Sequence, residues 1–180
     1  GLIPRPIKAP LGVPELEAAE QAIRRSTHHA PPGVILIENT HNAAGGTVVP
    51  ISVQQKMAAL AKREGLPIHL DGARAFNAAT ALNIDVKEVC TGFDSASLCL
   101  SKGLGAPIGT MLLGKSEFIS RAHRYRKILG GGMRQSGVVA AAGLIAINQS
   151  TELLTHDHRR ARYLGESLAR INGVDVDLAT

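Results

Sequence analysis

An α/β architecture, a mostly parallel sheet with helices on both faces, follows from three features of the sequence. Short β-branched apolar runs alternate with longer amphipathic ones. Gly, Pro and Asn bound these runs. Polar residues gather just past the carboxyl ends of the short runs, which is where open α/β sheets bind ligands. The chain has 180 residues, enough for one substantial core.

The first helix is expected over Pro14 to Arg25, with proline in the first turn and Leu16, Ala19 and Ile23 on one face. Gly33 to Asn39 (GVILIEN) follows Pro-Pro and precedes a Thr-His-Asn turn, as a buried parallel strand does. Ser52 to Glu64 carries Val53, Met57, Leu60 and Ala61 on one side and stops at Gly65, a residue suited to a left-handed helix cap. Leu66 to Asp71 (LPIHLD) and Asp94 to Leu100 (DSASLCL) predict two further strands, and Ile108 to Leu113 (IGTMLL) a fourth. Ser116 is expected to cap a helix with Phe118, Ile119, Ala122 and Tyr125. Ser136 to Asn148 is apolar nearly all round and should be buried, against another subunit if not within this chain. Glu152 to Arg170 reads as a long helix, polar on one side.

Composition excludes several classes. Hydrophobic residues are 44% and charged residues 19%, an ordinary globular balance without repeats or low-complexity tracts. No apolar run reaches membrane-spanning length and no signal peptide is recognisable, so the expected location is the cytoplasm, or an organelle matrix such as that of the mitochondrion. Cys90 and Cys99 are expected to be small apolar fillers, and the scattered histidines suggest no metal site. The net charge is +5, concentrated in RAHRYRK (Arg121 to Lys127) and HDHRRAR (His156 to Arg162). With three Phe, two Tyr and no Trp there is little to stack on bases, so solvated helix faces or a small anionic ligand fit better than nucleic acid.

Two lysines compete for phosphate chemistry. GTMLLGKS (Gly109 to Ser116) satisfies the G-x-x-x-x-G-K-[ST] pattern, with Lys115 as the phosphate lysine. A P-loop needs a flexible nest of backbone amides between its glycines, and Met111, Leu112 and Leu113 continue an apolar run instead. The match is read as accidental, with Lys115 solvated near the start of a helix.

Lys102 in SKGLGAP follows the third strand, Asp71 in HLDGAR ends the second, and ENTHN (Glu38 to Asn42) closes the first. A lysine and a carboxylate on neighbouring strand ends make either a plain salt bridge or the pair that pyridoxal phosphate chemistry needs, a Schiff-base lysine and a carboxylate facing the pyridine nitrogen.

ENTHN, HLDGARAFNA (His69 to Ala78), CLSKGLGAPIG (Cys99 to Gly109) and RKILGGGMRQSGVVAAAG (Arg126 to Gly143), in this order and spacing, resemble the threonine aldolase family of the aspartate-aminotransferase fold type. The resemblance runs from about Pro14 onward. It implies pyridoxal 5'-phosphate held by Lys102, with Asp71 facing the ring nitrogen, Arg74 near the cofactor's phenolic oxygen and the substrate carboxylate, and Ser101 at the phosphate. Arg134, beyond the Gly130 to Gly132 run, is a further phosphate candidate, in a segment that can reach across a subunit boundary. His28 stands where the family has a histidine handling the substrate's β-hydroxyl, and the adjacent His29 leaves the register open. His41 is expected to be structural, and Asn39 and Asn42 either bond the phenolic oxygen or stabilise the turn.

The resemblance further implies retro-aldol cleavage of L-threonine or L-allo-threonine to glycine and acetaldehyde, with His28 or a water as base, in a homo-oligomer, dimer or tetramer, serving glycine biosynthesis and threonine catabolism. Residues 1–13 read as an N-terminal extension, 14–172 as part of the cofactor-binding large domain, and 173–180 as the start of a C-terminal domain. The family's glycine-threonine phosphate cradle and ring-stacking histidine have no counterpart in this sequence. Two alternatives accompany this reading: a truncated non-catalytic paralogue that packs against longer subunits, and a related β-eliminating lyase.

Overall fold

The computed structural model describes residues 3–178. Four strands, β1 (Ile35–Glu38), β2 (Ile68–Asp71), β3 (Ser95–Cys99) and β4 (Thr110–Gly114), form one sheet in the order β1-β2-β3-β4. The first three are parallel and β4 returns antiparallel to β3. All four overlap the expected runs: β1 and β3 are shorter at both ends, β2 starts two residues later, and β4 starts two residues later and runs one further, to Gly114. The sheet is mostly parallel, as expected; the reversal of β4 follows from its short connection, which is a hairpin and not a crossover.

Six α-helices accompany it: α1 (Leu16–Ala22), α2 (Ile51–Arg63), α3 (Ala75–Leu82), α4 (Val86–Val89), α5 (Ser116–Ile128) and α6 (Gly137–Leu168). Gly65 ends α2 in the left-handed region (φ +65°), and the N–H of Leu66 donates to the carbonyl of Ala61 at 2.9 Å, which satisfies an end carbonyl of the helix. For α5 the cap position is Lys115, and Ser116 is the first helical residue, so the expected serine cap shifts by one. The two stretches around Ser150 form one helix bent by 65° between Gly137–Ser150 and Glu152–Leu168. Among the described residues no single helix is long and apolar enough to cross a membrane.

Alternation along the strands sorts the two faces. Ile37, Leu70 and Ala96 lie abreast in the ladder and are buried. On this face Ile37 and Ile68 pack with Ala19 of α1 and with Met57, Leu60 and Ala61 of α2. Leu70, Ala96 and Leu98 pack with Ala75, Ala78 and Ala79 of α3 and with Val89 of α4. The opposite face carries two rows, Leu36, His69 and Ser95, then Glu38, Asp71 and Ser97. Leu36 there is 61% exposed. A third apolar cluster joins Leu100, Leu104 and Ala106, on the chain after β3, to Ala146 and Leu154 of α6.

At the N-terminal side, Ile7 packs against the α1–α2 cluster, and Gly12 is buried under the ring of His41, where a methyl group would come within 2.2 Å of Cγ. Arg63 pairs with Glu20 and Arg25 with Glu64, each at 2.5 Å, tying α1 to the end of α2. Both cysteines are free and partly buried, as expected of fillers. The apolar start of α6 departs from expectation: Gly143 and Ala146 are buried, while Val138 is 82% and Leu144 63% exposed within this chain.

Candidate active site

The site grows from the register of the parallel strands. Glu38 faces Asp71, and Asp71 faces Ser97, so β1 and β2 end level and β3 runs two residues further, to Cys99, at the same end of the sheet. The segments that leave these three strands therefore meet at one rim.

After β2 the chain leaves through Gly72, which is buried and gives its N–H to the carbonyl of Ser97 at 2.9 Å. A methyl group at Gly72 would lie 2.8 Å from Leu98 and 3.1 Å from the Ser97 carbonyl, so the strand can exit this close to β3 only without a side chain. One carboxylate oxygen of Asp71 accepts from the N–H of Ala73 at 3.2 Å, which fixes the side chain, and the residue remains half-buried. Arg74 follows at the N-cap position of α3, also half-buried.

After β3 the chain makes a pinned loop. Leu100 gives its N–H to Gly109 at 2.9 Å, Ala106 to Leu100 at 3.0 Å, and Gly105 to Lys102 at 2.9 Å, with Gly105 at φ +75° closing the turn. Leu100, Leu104 and Ala106 are buried, while Ser101 and Lys102 are exposed. The loop is thus anchored by its apolar residues and offers its polar ones at the rim.

After β1 stands Asn39, fully buried, whose Oδ1 accepts from the Val49 N–H and whose Nδ2 donates to the Val49 carbonyl, both at 3.1 Å. Both ends of the amide are occupied by the loop backbone, which decides for the turn-stabilising role. His41 pairs through its backbone with Thr47 at 2.8 Å, a structural contact as expected, and its Nε2 lies 3.9 Å from Glu38. Glu38 Oε1 also accepts from the N–H of Asn42 at 3.0 Å, which holds the ENTHN turn against the rim.

The structure thus brings Asp71, Arg74, Ser101 and Lys102 to the same end of the sheet. His28 is elsewhere: it is exposed on the segment that enters β1 from its amino end, three residues after Arg25, which pairs with Glu64 beside the entry to β2. Arg134 is exposed in the loop between α5 and α6. The second turn of α6 then passes beside Leu100, where a methyl group on Gly143 would come within 3.0 Å of it.

Lys115 is exposed at the junction of β4 and α5, and the residues of the accidental P-loop pattern form β4, paired with β3 from Thr110 to Gly114. Gly114 is needed there because the ring of Phe118 sits where its side chain would be, 2.7 Å away. Among the described residues no group of three or more metal-ligating side chains is present.

The tight exit that Gly72 allows is legible in HLDGAR and is borne out. Sequence reasoning missed Glu38, although a strand-end rule that counted every polar residue points to it. It missed His69 too, whose Nδ1 lies 2.8 Å from Ser95 Oγ on the same face as Asp71. Burial pulls His69 below the usual histidine range, and the charge of Asp71 works in the opposite direction.

The family model described as beta-eliminating lyase matches residues 1–180. This chain belongs to the beta-eliminating lyase family. Among curated relatives of this family member, the low-specificity L-threonine aldolase 1 of Arabidopsis thaliana is 44% identical over 171 residues, covering 93% of this chain and 48% of that protein. The low specificity L-threonine aldolase of Escherichia coli K12 is 43% identical over 149 residues, covering 83% of this chain and 44% of that protein. The chain spans about half the length of the curated relatives it matches. Its fold is similar to that of Leishmania major threonine aldolase, with a TM-score of 0.78 at 24% identity over 89% of this chain and 48% of that one. It is also similar to a Thermus thermophilus aspartate aminotransferase, with a TM-score of 0.64 at 17% identity over 87% of this chain and 41% of that one.

Proposed function

We propose that this chain is the central part of a pyridoxal-phosphate-dependent aldolase that cleaves L-threonine or L-allo-threonine to glycine and acetaldehyde. The observation that carries it is the placement of Asp71 at, and Lys102 just beyond, the carboxyl ends of two adjacent parallel strands. The names of the relatives support the same reading.

The residues at the rim suit the group. Lys102 is an exposed amine on an anchored turn, and Asp71 is a half-buried carboxylate already oriented by Ala73. When bound, pyridoxal phosphate supplies an aldehyde for a primary amine and an electron sink for the bond that breaks.

Lys102 would hold the group through its Nζ, which must be free of its proton to do so. Asp71 would hold the ring nitrogen through its carboxylate and favour its protonated form, the condition for the ring to withdraw electrons. Arg74 binds the substrate carboxylate, which orients the bond between Cα and Cβ. Ser101 would donate its hydroxyl to the phosphate, and Arg134 would supply a second contact from the loop before α6. The proton of the β-hydroxyl goes to a bound water. His28, at the amino end of β1, would need a route to that hydroxyl from a second subunit.

A homodimer or homotetramer fits the exposed apolar start of α6, and a cytoplasmic place in glycine formation and threonine breakdown fits the reaction. The family description favours one second reading, β-elimination from an amino acid. Glycine as the product establishes aldol cleavage, and an α-keto acid establishes elimination.

The test is direct. Purified protein mixed with pyridoxal phosphate should develop a visible absorbance band that borohydride bleaches, with the label recovered on Lys102 by peptide mass spectrometry. Aldehyde release from L-allo-threonine should accompany it. No band and no label would overturn the assignment of Lys102.

A further inference from the structure

Lys102 is exposed, so where its amine stands depends on what holds its loop. The chain on either side of it is held by two helices. Phe76 of α3 and Ala146 and Leu154 of α6 enclose Leu100, Leu104 and Ala106. Gly103, the residue directly after Lys102, is wedged between them: a methyl group there would come 2.7 Å from Asn77 Oδ1 and 3.0 Å from Leu154 Cδ2. The amide of Asn77 therefore lies flush against the backbone of the lysine's loop.

Asn77 is itself held. Its Nδ2 lies 3.2 Å from Nε2 of His158 on α6, and both residues are half-buried. The ring accepts the amide proton through Nε2 in the tautomer that carries its own proton on Nδ1. An apolar side chain at position 77 would leave the loop free to slide over a greasy surface. An amide held in place by His158 offers Gly103 a fixed surface to pack against.

Asn77 also belongs to the helix that starts three residues after Gly72, on the chain leaving Asp71. Helix α3 thus begins beside Asp71 and abuts the loop of Lys102, spanning the two halves of the site. We propose that Asn77, braced by His158, is a positioning residue that sets the location of the Lys102 amine relative to Asp71. The catalytic meaning rests on the function proposed above, whereas the positioning is a property of the chain alone.

The experiment compares the full chain with Asn77→Ala, His158→Ala, the double variant, and His158→Gln, which retains a hydrogen-bonding group. Two readouts need no cofactor: amide hydrogen exchange over residues 101–106, and the acylation rate of Lys102 by acetic anhydride, with exposed Lys115 as internal reference. Either alanine variant should raise exchange over 101–106 by about tenfold, the size of one lost hydrogen bond, and shift the Lys102:Lys115 labelling ratio. The double variant should add nothing to either single one, and His158→Gln should stay within about twofold of the parent. Borohydride trapping of pyridoxal phosphate should slow in the alanine variants.

Unchanged exchange over 101–106, independent additive effects of the two alanine changes, or an equal rise over 114–118 that signals general loosening would each overturn the proposal. If the parent protein traps no pyridoxal phosphate while the exchange and labelling results hold, the proposed chemistry fails and the positioning role stands.

Discussion

Asp71 and Ser97 face one another in register across the two central parallel strands, and the chain leaving each carries one half of the candidate site. From Asp71 it passes through Gly72 into Arg74 and α3; from Ser97 it passes through Cys99 to Ser101 and Lys102. The site is therefore as precise as the sheet register beneath it.

The first prediction separates the two lysines. Lys102→Ala should abolish the visible band and the borohydride-fixed label with no change in circular dichroism, because the side chain is exposed. Lys115→Ala should leave both signals at the level of the parent. A label that moves to Lys115, or survives Lys102→Ala, would count against the assigned roles.

Asp71→Asn preserves shape and removes charge. The N–H of Ala73 keeps an oxygen to donate to, so the fold should be retained. Without a carboxylate at the ring nitrogen, aldehyde release should fall by about 100-fold or more, the scale of losing a preorganised electrostatic partner. Parallel measurements of release rate and cofactor affinity check this, and a loss confined to affinity would contradict it.

Gly72→Ala tests the exit from β2. Its methyl group would meet Leu98 at 2.8 Å and the Ser97 carbonyl at 3.1 Å, and the second contact is backbone that cannot rotate away. Overpacking of this kind should cost about 1–3 kcal/mol, read as a lower urea midpoint with an unchanged slope.

His69 gives the pH dependence. Burial lowers its folded pKa below the ordinary histidine value of about 6.5, so the unfolded chain binds the proton more readily. The stability linked to His69 is fully present above that ordinary value and is lost as pH falls toward and through the lowered one. Urea midpoints between pH 8 and pH 5 should therefore decline for the parent and decline less for His69→Gln.

Much of the fold is legible in the residues alone. The strands are readable because each is a short apolar or alternating run between turn-forming stretches, and the rim follows because polar residues at such ends have few other places to go. Helices α3 and α4 are not readable. AFNAATAL is built of small residues whose burial leaves little amphipathic contrast, although a parallel connection from β2 to β3 demands a crossover there. The direction of β4 is hidden because alternation is the same whichever way a strand runs. The expected burial of Ser136 to Asn148 fails within this chain because a helix's own pattern states that a face is apolar, not what covers it. Position 28 fails to reach the rim for a related reason: closeness to a strand in sequence does not say at which end of it a residue lies.

The reversal of β4 also bears on the order of assembly. Parallel pairing of β1 with β2, and of β2 with β3, must wait for long intervening segments that carry whole helices, and the entropy of closing those loops delays them. The β3–β4 hairpin spans only the pinned loop between Cys99 and Thr110. It can zip early from local contacts, so the turn bearing Lys102 takes shape as a folding seed, and Asp71 is delivered to it when the longer-range strands arrive.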